Sequence, residues 1–147
     1  MIALWSRVID LFKAVPHDVI AILARIGVGT VFLRSGLLKV EGWANGNTLA
    51  LFRDEYKLPF LPAEIAAPMA MAAELSMSCL IIAGLFSRFA ALALLIMTLV
   101  IEIFVYPNAF DTHAVWAVSL LYLIKHGAGI VSLDHFIERG ILGQRKS

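Results

Sequence analysis

The sequence predicts an all-α fold, a four-helix transmembrane bundle, and three observations support this prediction. Of the 147 residues, 61% are hydrophobic and 16% are charged, whereas soluble domains average roughly 45–50% apolar residues. The mean hydropathy is +0.86. Four apolar segments follow one another, and each approaches the roughly 20 residues that a helix needs to cross the hydrocarbon core. We therefore expect a single membrane domain over residues 1–147.

The first predicted element is a helix over about residues 2–15. At 100° per residue, one face of this helix collects the apolar side chains of Trp5, Val8, Ile9 and Phe12. The polar side chains lie elsewhere on the helix, which is typical of a helix that lies in the membrane interface. Pro16 ends this element before the first span.

Four spans and their connections account for the rest of the chain. The predicted spans are about residues 18–38, 63–86, 87–106 and 112–131. The connection over residues 39–60 is the long one, and Asn45-Gly46 signals a turn before a short helix in this first outer loop. A loop of this length in a compact chain is a candidate binding element. In the C-terminal tail, residues 132–147, Ser132 has the position of an N-cap before a short amphipathic helix.

Basic residues near the span ends predict the orientation. With the N-terminus in the cytoplasm, the inner side holds Arg7, Lys13, Arg88, Lys125, Arg139, Arg145 and Lys146, and the outer side holds Lys39, Arg53 and Lys57. This asymmetry predicts a multi-pass protein of a bacterial inner membrane with both termini in the cytoplasm. The long loop would then face outward.

Charge and cysteine content exclude two classes of function. The net charge is +1 and the 12 basic residues are dispersed, so nucleic acid is not an expected partner. Cys79 is the single cysteine, which excludes an intramolecular disulfide and a Cys-x-x-Cys redox pair. A thiol relay within this chain alone is therefore excluded.

Charged residues inside the apolar segments indicate where a site lies, because such charges are costly in hydrocarbon and usually face the protein interior. Arg25 and Arg34 lie in the first span, Glu74 in the second and Glu102 near the end of the third. Glu74 shares its face with small residues and methionines, so it either pairs with a cation such as Arg25 or becomes neutral. We take Glu74 as the candidate catalytic proton carrier; an ion pair that only sets helix register is the alternative.

The first span also has a face that we expect to point into the bundle. At helical spacing this stripe comprises Arg25, Gly29, Phe32, Gly36 and Lys39. Its two glycines would let a neighbouring helix approach closely. Arg34 lies on the opposite side, near the outer end.

A polar cluster of Glu102, Asp111 and His113 is predicted at the outer end of the bundle, where Lys39, Arg34 and Glu64 would lie at the same level. Glu102, Asp111 and His113 could ligate a divalent metal, but their spacing matches no metal motif and we assign no metal ligand. The methionines suggest copper(I) only weakly, since their spacing is typical of core packing.

Two further interpretations of this cluster remain: it binds an organic ligand or a small anion, or it binds no ligand. A quinone-like headgroup or a small anion would be bound by Arg34, Lys39 and His113, with Trp43 or Trp116 stacking on it. Alternatively, these groups only satisfy one another at the level of the lipid headgroups. The candidate cofactor-binding residues are Arg25, Arg34, Lys39, Glu102, His113 and Trp116.

The chain resembles the DoxX family of small four-helix membrane proteins. The resemblance is carried by Ala24-Arg25-Ile26-Gly27, Phe32-Leu33-Arg34-Ser35-Gly36 and Lys39, by Glu74-Leu75 and Gly84-Leu85-Phe86-Ser87-Arg88, and by Gly127, Gly129 and Ser132-Leu133-Asp134. It covers nearly the whole chain in order. It implies a bacterial membrane protein linked to quinone-dependent or other oxidoreductase assemblies and to redox or metal-stress systems. The family pattern includes Arg25, Lys39, Glu74 and Arg88, and one of its branches is linked to peptide-based metal handling.

The sequence and the resemblance together favour an auxiliary membrane subunit that binds quinone or lipid in a redox or metal-stress system. One alternative is a quinone-linked oxidoreductase subunit in which Glu74 or His113 moves protons and a soluble or membrane redox partner supplies electrons. Another is a small transporter, although paired broken helices of the transporter kind are missing from the sequence. The expected surroundings are the lipid bilayer, and self-association into a homo-oligomer stays open.

Overall fold

A computed structural model describes residues 2–144, with side chains over residues 5–141. Helices make up the described fold and no strand occurs in residues 2–144, which confirms the all-α prediction. The helices are α1 (Ile2–Lys13), α2 (His17–Glu41), α3 (Asn47–Ala50), α4 (Ala63–Ala83), α5 (Ser87–Val100), α6 (Phe110–His126) and α7 (Leu133–Gln144). Two π-helical segments, Leu51–Tyr56 and Ile101–Val105, extend α3 and α5. The last residues of the predicted tail, 145–147, lie outside the described range.

Three of these helices are long and apolar enough to cross a membrane: α2, α4, and α5 with its π-helical extension. The fourth predicted segment, residues 112–131, is a shorter helix. α6 begins at Phe110 and ends at His126, because Gly127 leaves the helical conformation with φ of +82°. Gly129 also has a positive φ, so the chain turns there instead of extending the helix.

The four central helices pack in pairs around one core. α2 packs against α4 and α6, and α5 packs against the same two helices. The predicted stripe on α2 is buried at all five positions, Arg25, Gly29, Phe32, Gly36 and Lys39. The contact with α4 is close at both glycines: a Cβ added at Gly29 would lie 2.6 Å from Ile82 Cγ1, and one at Gly36 would lie 2.9 Å from Leu75 Cδ2.

These contacts define an antiparallel register in which Gly29 faces Ile82 and Gly36 faces Leu75. The register is staggered, so the N-terminal part of α2 extends past the C-terminal end of α4. Arg25 lies in that overhanging part, whereas Lys39 lies opposite the middle of α4. At a rise of 1.5 Å per residue, Arg25 and Lys39 are about 21 Å apart along α2.

The long loop folds over the end of the bundle and contains the short helix that the sequence predicts after its turn signal. Its helix, α3 with the π-helical extension, ends at Tyr56. Phe52 from this segment is buried against Ala66 and Ala67 of α4. We call this side of the molecule the loop end; the turn between α5 and α6 lies on the same side.

The terminal helices also form. α1 ends at Lys13, and Trp5, Leu11 and Phe12 on it are exposed. At the start of α7 the Ser132 hydroxyl accepts a hydrogen bond from the His135 backbone N–H at 3.2 Å, which confirms the predicted N-cap. The placement of α1 in the membrane interface stays a prediction.

Candidate ligand pocket

A cavity of about 360 Å³ lies among α2, α4, α5 and α6 beneath the long loop. Its volume falls in the range of small-molecule sites. Most of its wall is apolar, with contributions from Val31, Phe32, Phe52, Leu58, Phe60, Leu61, Met69, Ile96, Met97, Val100, Ile101 and Val105. The polar groups of the wall are Ser35, Lys39, Tyr56, Glu74, Tyr106, His113 and Trp116. We refer to this cavity as the ligand pocket.

Lys39 and Glu74 form a buried ion pair in the pocket wall. Lys39 Nζ lies 2.9 Å from both carboxylate oxygens of Glu74, and the two residues are only 7% and 2% exposed. Ser35, one helical turn before Lys39, completes the group. Its hydroxyl accepts a hydrogen bond from Lys39 Nζ at 2.7 Å and donates one to Glu74 Oε1 at 3.1 Å. The pair is neutral as a whole, and each charge depends on its partner for solvation.

His113 and Glu102 form a second polar pair. Nδ1 of His113 lies 2.5 Å from Glu102 Oε2, and His113 is 5% exposed. Only His113 of this pair lines the pocket. A carboxylate that accepts the Nδ1 proton fixes the orientation and tautomer of an imidazole and leaves Nε2 for another partner. Glu102 therefore positions His113.

Aromatic rings surround this polar end of the pocket. The Trp116 ring centroid lies 4.9 Å from that of His113 and 5.5 Å from that of Phe32. Tyr56 and Tyr106 meet edge to face at 5.8 Å. Burial raises the pKa of both tyrosines, so their hydroxyl groups remain protonated at neutral pH and act as neutral hydrogen-bond donors. Tyr106 donates to Glu55.

The pocket brings together four of the predicted site residues: Lys39, Glu74, His113 and Trp116. Glu102 contacts His113 from behind. Arg34 is on the exposed side of α2, as its position on the helix predicts, and it does not line the pocket. Trp43, the other tryptophan considered for stacking, is also outside the pocket.

The expected pair between Arg25 and Glu74 is wrong. Arg25 instead donates to four backbone carbonyls, those of Ile81 at 3.0 Å, Ile82 at 2.6 Å, Ala128 at 3.1 Å and Val131 at 2.6 Å. The first two belong to the C-terminal turn of α4, whose carbonyls lack the i+4 donors of a helix interior; the Ile81 carbonyl also accepts a hydrogen bond from the Gly84 backbone N–H at 3.0 Å. The staggered register explains the error, because it places Arg25 at the end of α4 and Lys39 beside Glu74.

Three polar residues of the pocket were not predicted: Ser35, Tyr56 and Tyr106. The signal for Ser35 was its position four residues before Lys39, which puts both on one helix face. The tyrosines lie in the long loop and just after α5, so only the folding of the loop over the bundle brings them to the site.

The predicted outer cluster forms only in part. Glu102 contacts His113, whereas Asp111 is exposed. Within residues 2–144, the structure has no group of three or more His, Cys, Asp or Glu residues arranged to hold a metal ion. Glu64, expected at the same level, pairs on the surface with Arg53.

Comparison with known proteins identifies the family. The DoxX family model matches residues 20–107, more than half of the chain. A Haemophilus influenzae protein described as uncharacterized is 33% identical over 137 residues, covering 86% of this chain and 89% of the relative. No solved structure matches this sequence. With its long apolar helices and this match, the chain is a membrane protein that belongs to the DoxX family.

Proposed function

We propose that this protein is a four-helix bundle of the bacterial inner membrane that binds a quinone, or a lipid with a similar ring, in the ligand pocket. In this role it serves as an auxiliary subunit of a redox or metal-stress system. Both termini lie in the cytoplasm and the loop end faces outward, as the distribution of basic residues predicts. The observation that carries the proposal is an apolar pocket whose polar groups come from the loop end of the helices.

The chemistry of the pocket suits a neutral ring. A quinone has two apolar faces and carbonyl oxygens at its edges, which accept hydrogen bonds. The rings of Trp116 and Phe32 supply apolar surface, and the Tyr56 hydroxyl and the Trp116 indole N–H line the pocket as donors. The protons of Lys39, Tyr106 and His113 Nδ1 are already donated to the Glu74–Ser35 group, to Glu55 and to Glu102. Lys39 is already neutralised by Glu74, so the pocket offers no free charge for the small anion considered from the sequence.

The proposed role is auxiliary because the ring-binding groups do not form an electron-transfer chain. Electrons for any redox reaction of the bound quinone would come from, or pass to, a soluble or membrane redox partner. The resemblance to oxidoreductase-linked members of the family motivates this assignment. It makes association with such a partner a direct consequence of the proposal.

Tryptophan fluorescence provides the test. Replacing Trp5 and Trp43 with Phe leaves Trp116 in the pocket wall as the single tryptophan, and the purified variant is titrated with ubiquinone-1 in detergent. We expect saturable quenching of Trp116, because the quinone binds next to the indole. The matched control, Trp116→Phe with the other two tryptophans retained, should show only weak quenching that rises linearly with quinone in the micelle. Linear quenching of equal slope in both proteins would contradict the proposal.

Extraction of the natural ligand gives an independent test. Lipids extracted from protein purified in mild detergent should contain quinone in a fixed ratio to protein, and a variant that fills the pocket, Ala70→Phe, should lose it. Ala70 lines the pocket and lies on α4 one helical turn before Glu74. Equal quinone content in both preparations would show that the quinone is carried by the micelle.

A further inference from the structure

A second cavity, of about 490 Å³, lies at the loop end between the C-terminal part of α2 and the long loop. Its wall includes the polar residues Glu41, Asn45, Asn47 and Thr48. We call it the outer cavity. Asn45 and Asn47 are exposed, so the outer cavity is open to water.

The outer cavity and the ligand pocket share a wall. Ser35, Lys39 and Tyr56 line both, whereas Glu74 lines only the ligand pocket. Lys39 Nζ donates to Glu74 on one side and to the Ser35 hydroxyl on the other. A hydrogen-bonded group therefore connects the apolar pocket to a water-filled space.

We propose that Lys39, Ser35 and Glu74 transfer protons between a ligand in the pocket and water in the outer cavity. The proposal rests on the proposed function for the identity of the ligand, and it adds a route for protons and a role for each residue. It also separates the proton path from any electron path, which belongs to a partner protein.

The transfer balances as a proton relay. With a ligand that carries a hydroxyl in the pocket, such as a quinol, an O–H bond of the ligand breaks and an O–H bond forms on Glu74, while the electron pair of the broken bond stays on the ligand oxygen. The Lys39 ammonium gives one proton to water in the outer cavity, and its nitrogen then takes the proton held by Glu74. Ser35 is both donor and acceptor between Glu74 and Lys39, so the proton passes from Glu74 to Lys39 through its hydroxyl. The net result is one proton moved from ligand to water, and the reverse path protonates the ligand.

The groups around the relay restrict the path. Glu41 faces the outer cavity and His113 faces the ligand pocket. Tyr56 also lines the shared wall, and burial raises the pKa of its hydroxyl. Lys39 and Ser35 thus connect Glu74 to the outer cavity.

Cysteine accessibility tests the geometry. In a Cys79→Ser background, Ser35→Cys places a thiol in the shared wall, and Ser78→Cys places one in the same helix bundle but outside both cavities, where Ser78 is fully buried. In nanodiscs, which expose both membrane faces, a water-soluble methanethiosulfonate should modify the first thiol at least about tenfold faster than the second, since thiol reactivity follows exposure. Equal rates would overturn the proposal.

A pH-jump experiment tests the proton transfer. The probe is 2-hydroxy-1,4-naphthoquinone, whose visible absorbance rises on ionisation, bound to wild type, Ser35→Ala and the matched control Ser78→Ala. Ser35→Ala keeps the ion pair, and the affinity of each protein for the probe is measured first so that ionisation rates are compared at saturating probe. Ionisation of the bound probe after the jump should be at least about tenfold slower in Ser35→Ala, the scale of a lost proton-transfer group, and unchanged in Ser78→Ala.

The outcomes separate the two proposals. A probe that binds all three proteins and ionises at one rate overturns the relay and leaves the ligand pocket intact. A probe that fails to bind wild type overturns the proposed function and, with it, the relay. Slow ionisation confined to Ser35→Ala at saturating probe supports both.

Discussion

Replacing Lys39 with Met tests how strongly the buried ion pair contributes to folding. Lys39 Nζ lies 2.9 Å from both Glu74 oxygens, and the two side chains are 8% and 3% exposed. Removal of Lys39 leaves a carboxylate in the bundle with only the Ser35 hydroxyl as partner. Breaking a pair of this kind by removing one partner costs about 3–5 kcal/mol.

The double variant Lys39→Met/Glu74→Met isolates the interaction. Because it removes both charges and fills the space with apolar side chains, it should recover most of the loss, and the two single changes should be strongly non-additive. The assay is the free energy of unfolding of purified protein in mixed micelles, followed by circular dichroism during titration with sodium dodecyl sulfate. Arg53→Met is the control, since the Arg53–Glu64 pair is 55% exposed on both sides and its loss should leave no resolvable change.

The reasoning is refuted if Lys39→Met is no more destabilising than Arg53→Met. It is also refuted if the double variant loses the sum of the two single effects. In that case the charges are not coupled, and the pair does not organise the pocket.

Three further predictions test the packing and the second polar pair. Gly36→Ala should destabilise the protein in the same unfolding assay, because the added Cβ would lie 2.9 Å from Leu75 Cδ2. The control Gly27→Ala, with no heavy atom within 4 Å of its Cβ, should be neutral or stabilising by up to about 1 kcal/mol. Equal effects of the two changes would contradict the close α2–α4 contact. Arg25→Met should cost about 3 kcal/mol, because the carbonyls of Ile82, Ala128 and Val131 lose the Arg25 donor, while that of Ile81 keeps the Gly84 N–H. A loss of unfolding free energy below about 1 kcal/mol would contradict the capping role of Arg25. Glu102→Gln should release His113 from its fixed orientation and so weaken ubiquinone-1 binding about threefold to tenfold, which corresponds to the loss of one hydrogen bond. Unchanged quenching of Trp116 by ubiquinone-1 would contradict the role of Glu102 in positioning His113.

The faces of individual helices could be predicted from the sequence. Helical spacing alone placed Arg25, Phe32 and Lys39 on one buried stripe of α2 and Arg34 on the exposed side, and the structure has all four there. The period of 3.6 residues per turn determines which residues share a face of a helix, whatever the neighbouring helices are. The same reasoning placed Glu74 on the buried face of α4.

The pairing between helices could not be predicted in the same way. Knowing which face of each helix points inward does not determine how far one helix is shifted along its axis relative to its neighbour. A shift of a few residues changes which side chains lie opposite one another. The prediction matched Glu74 with Arg25, whereas contacts at Gly29 and Gly36 fix an offset that matches it with Lys39. Lys39 had been assigned to the outer cluster. The sequence placed Glu74 in an inner pair and His113 in the outer cluster, whereas in the structure both residues line the ligand pocket.

The long loop accounts for the rest of what the sequence missed. Its turn signal and length predicted a short helix and a binding role, but no pattern in the loop says which residues reach the bundle. Tyr56 reaches the pocket because Phe52 packs against Ala66 and Ala67, which is a tertiary contact between distant parts of the chain.

Photolabelling tests the central claim, that a quinone binds in the ligand pocket, most directly. Protein in nanodiscs is irradiated with an azido derivative of ubiquinone, and the labelled peptides are mapped by mass spectrometry. We predict adducts at pocket residues such as Phe32, Tyr56 and Trp116, which disappear when excess ubiquinone-1 is added. Labelling that spreads over the lipid-facing surface, or that excess ubiquinone-1 does not reduce, would contradict the account.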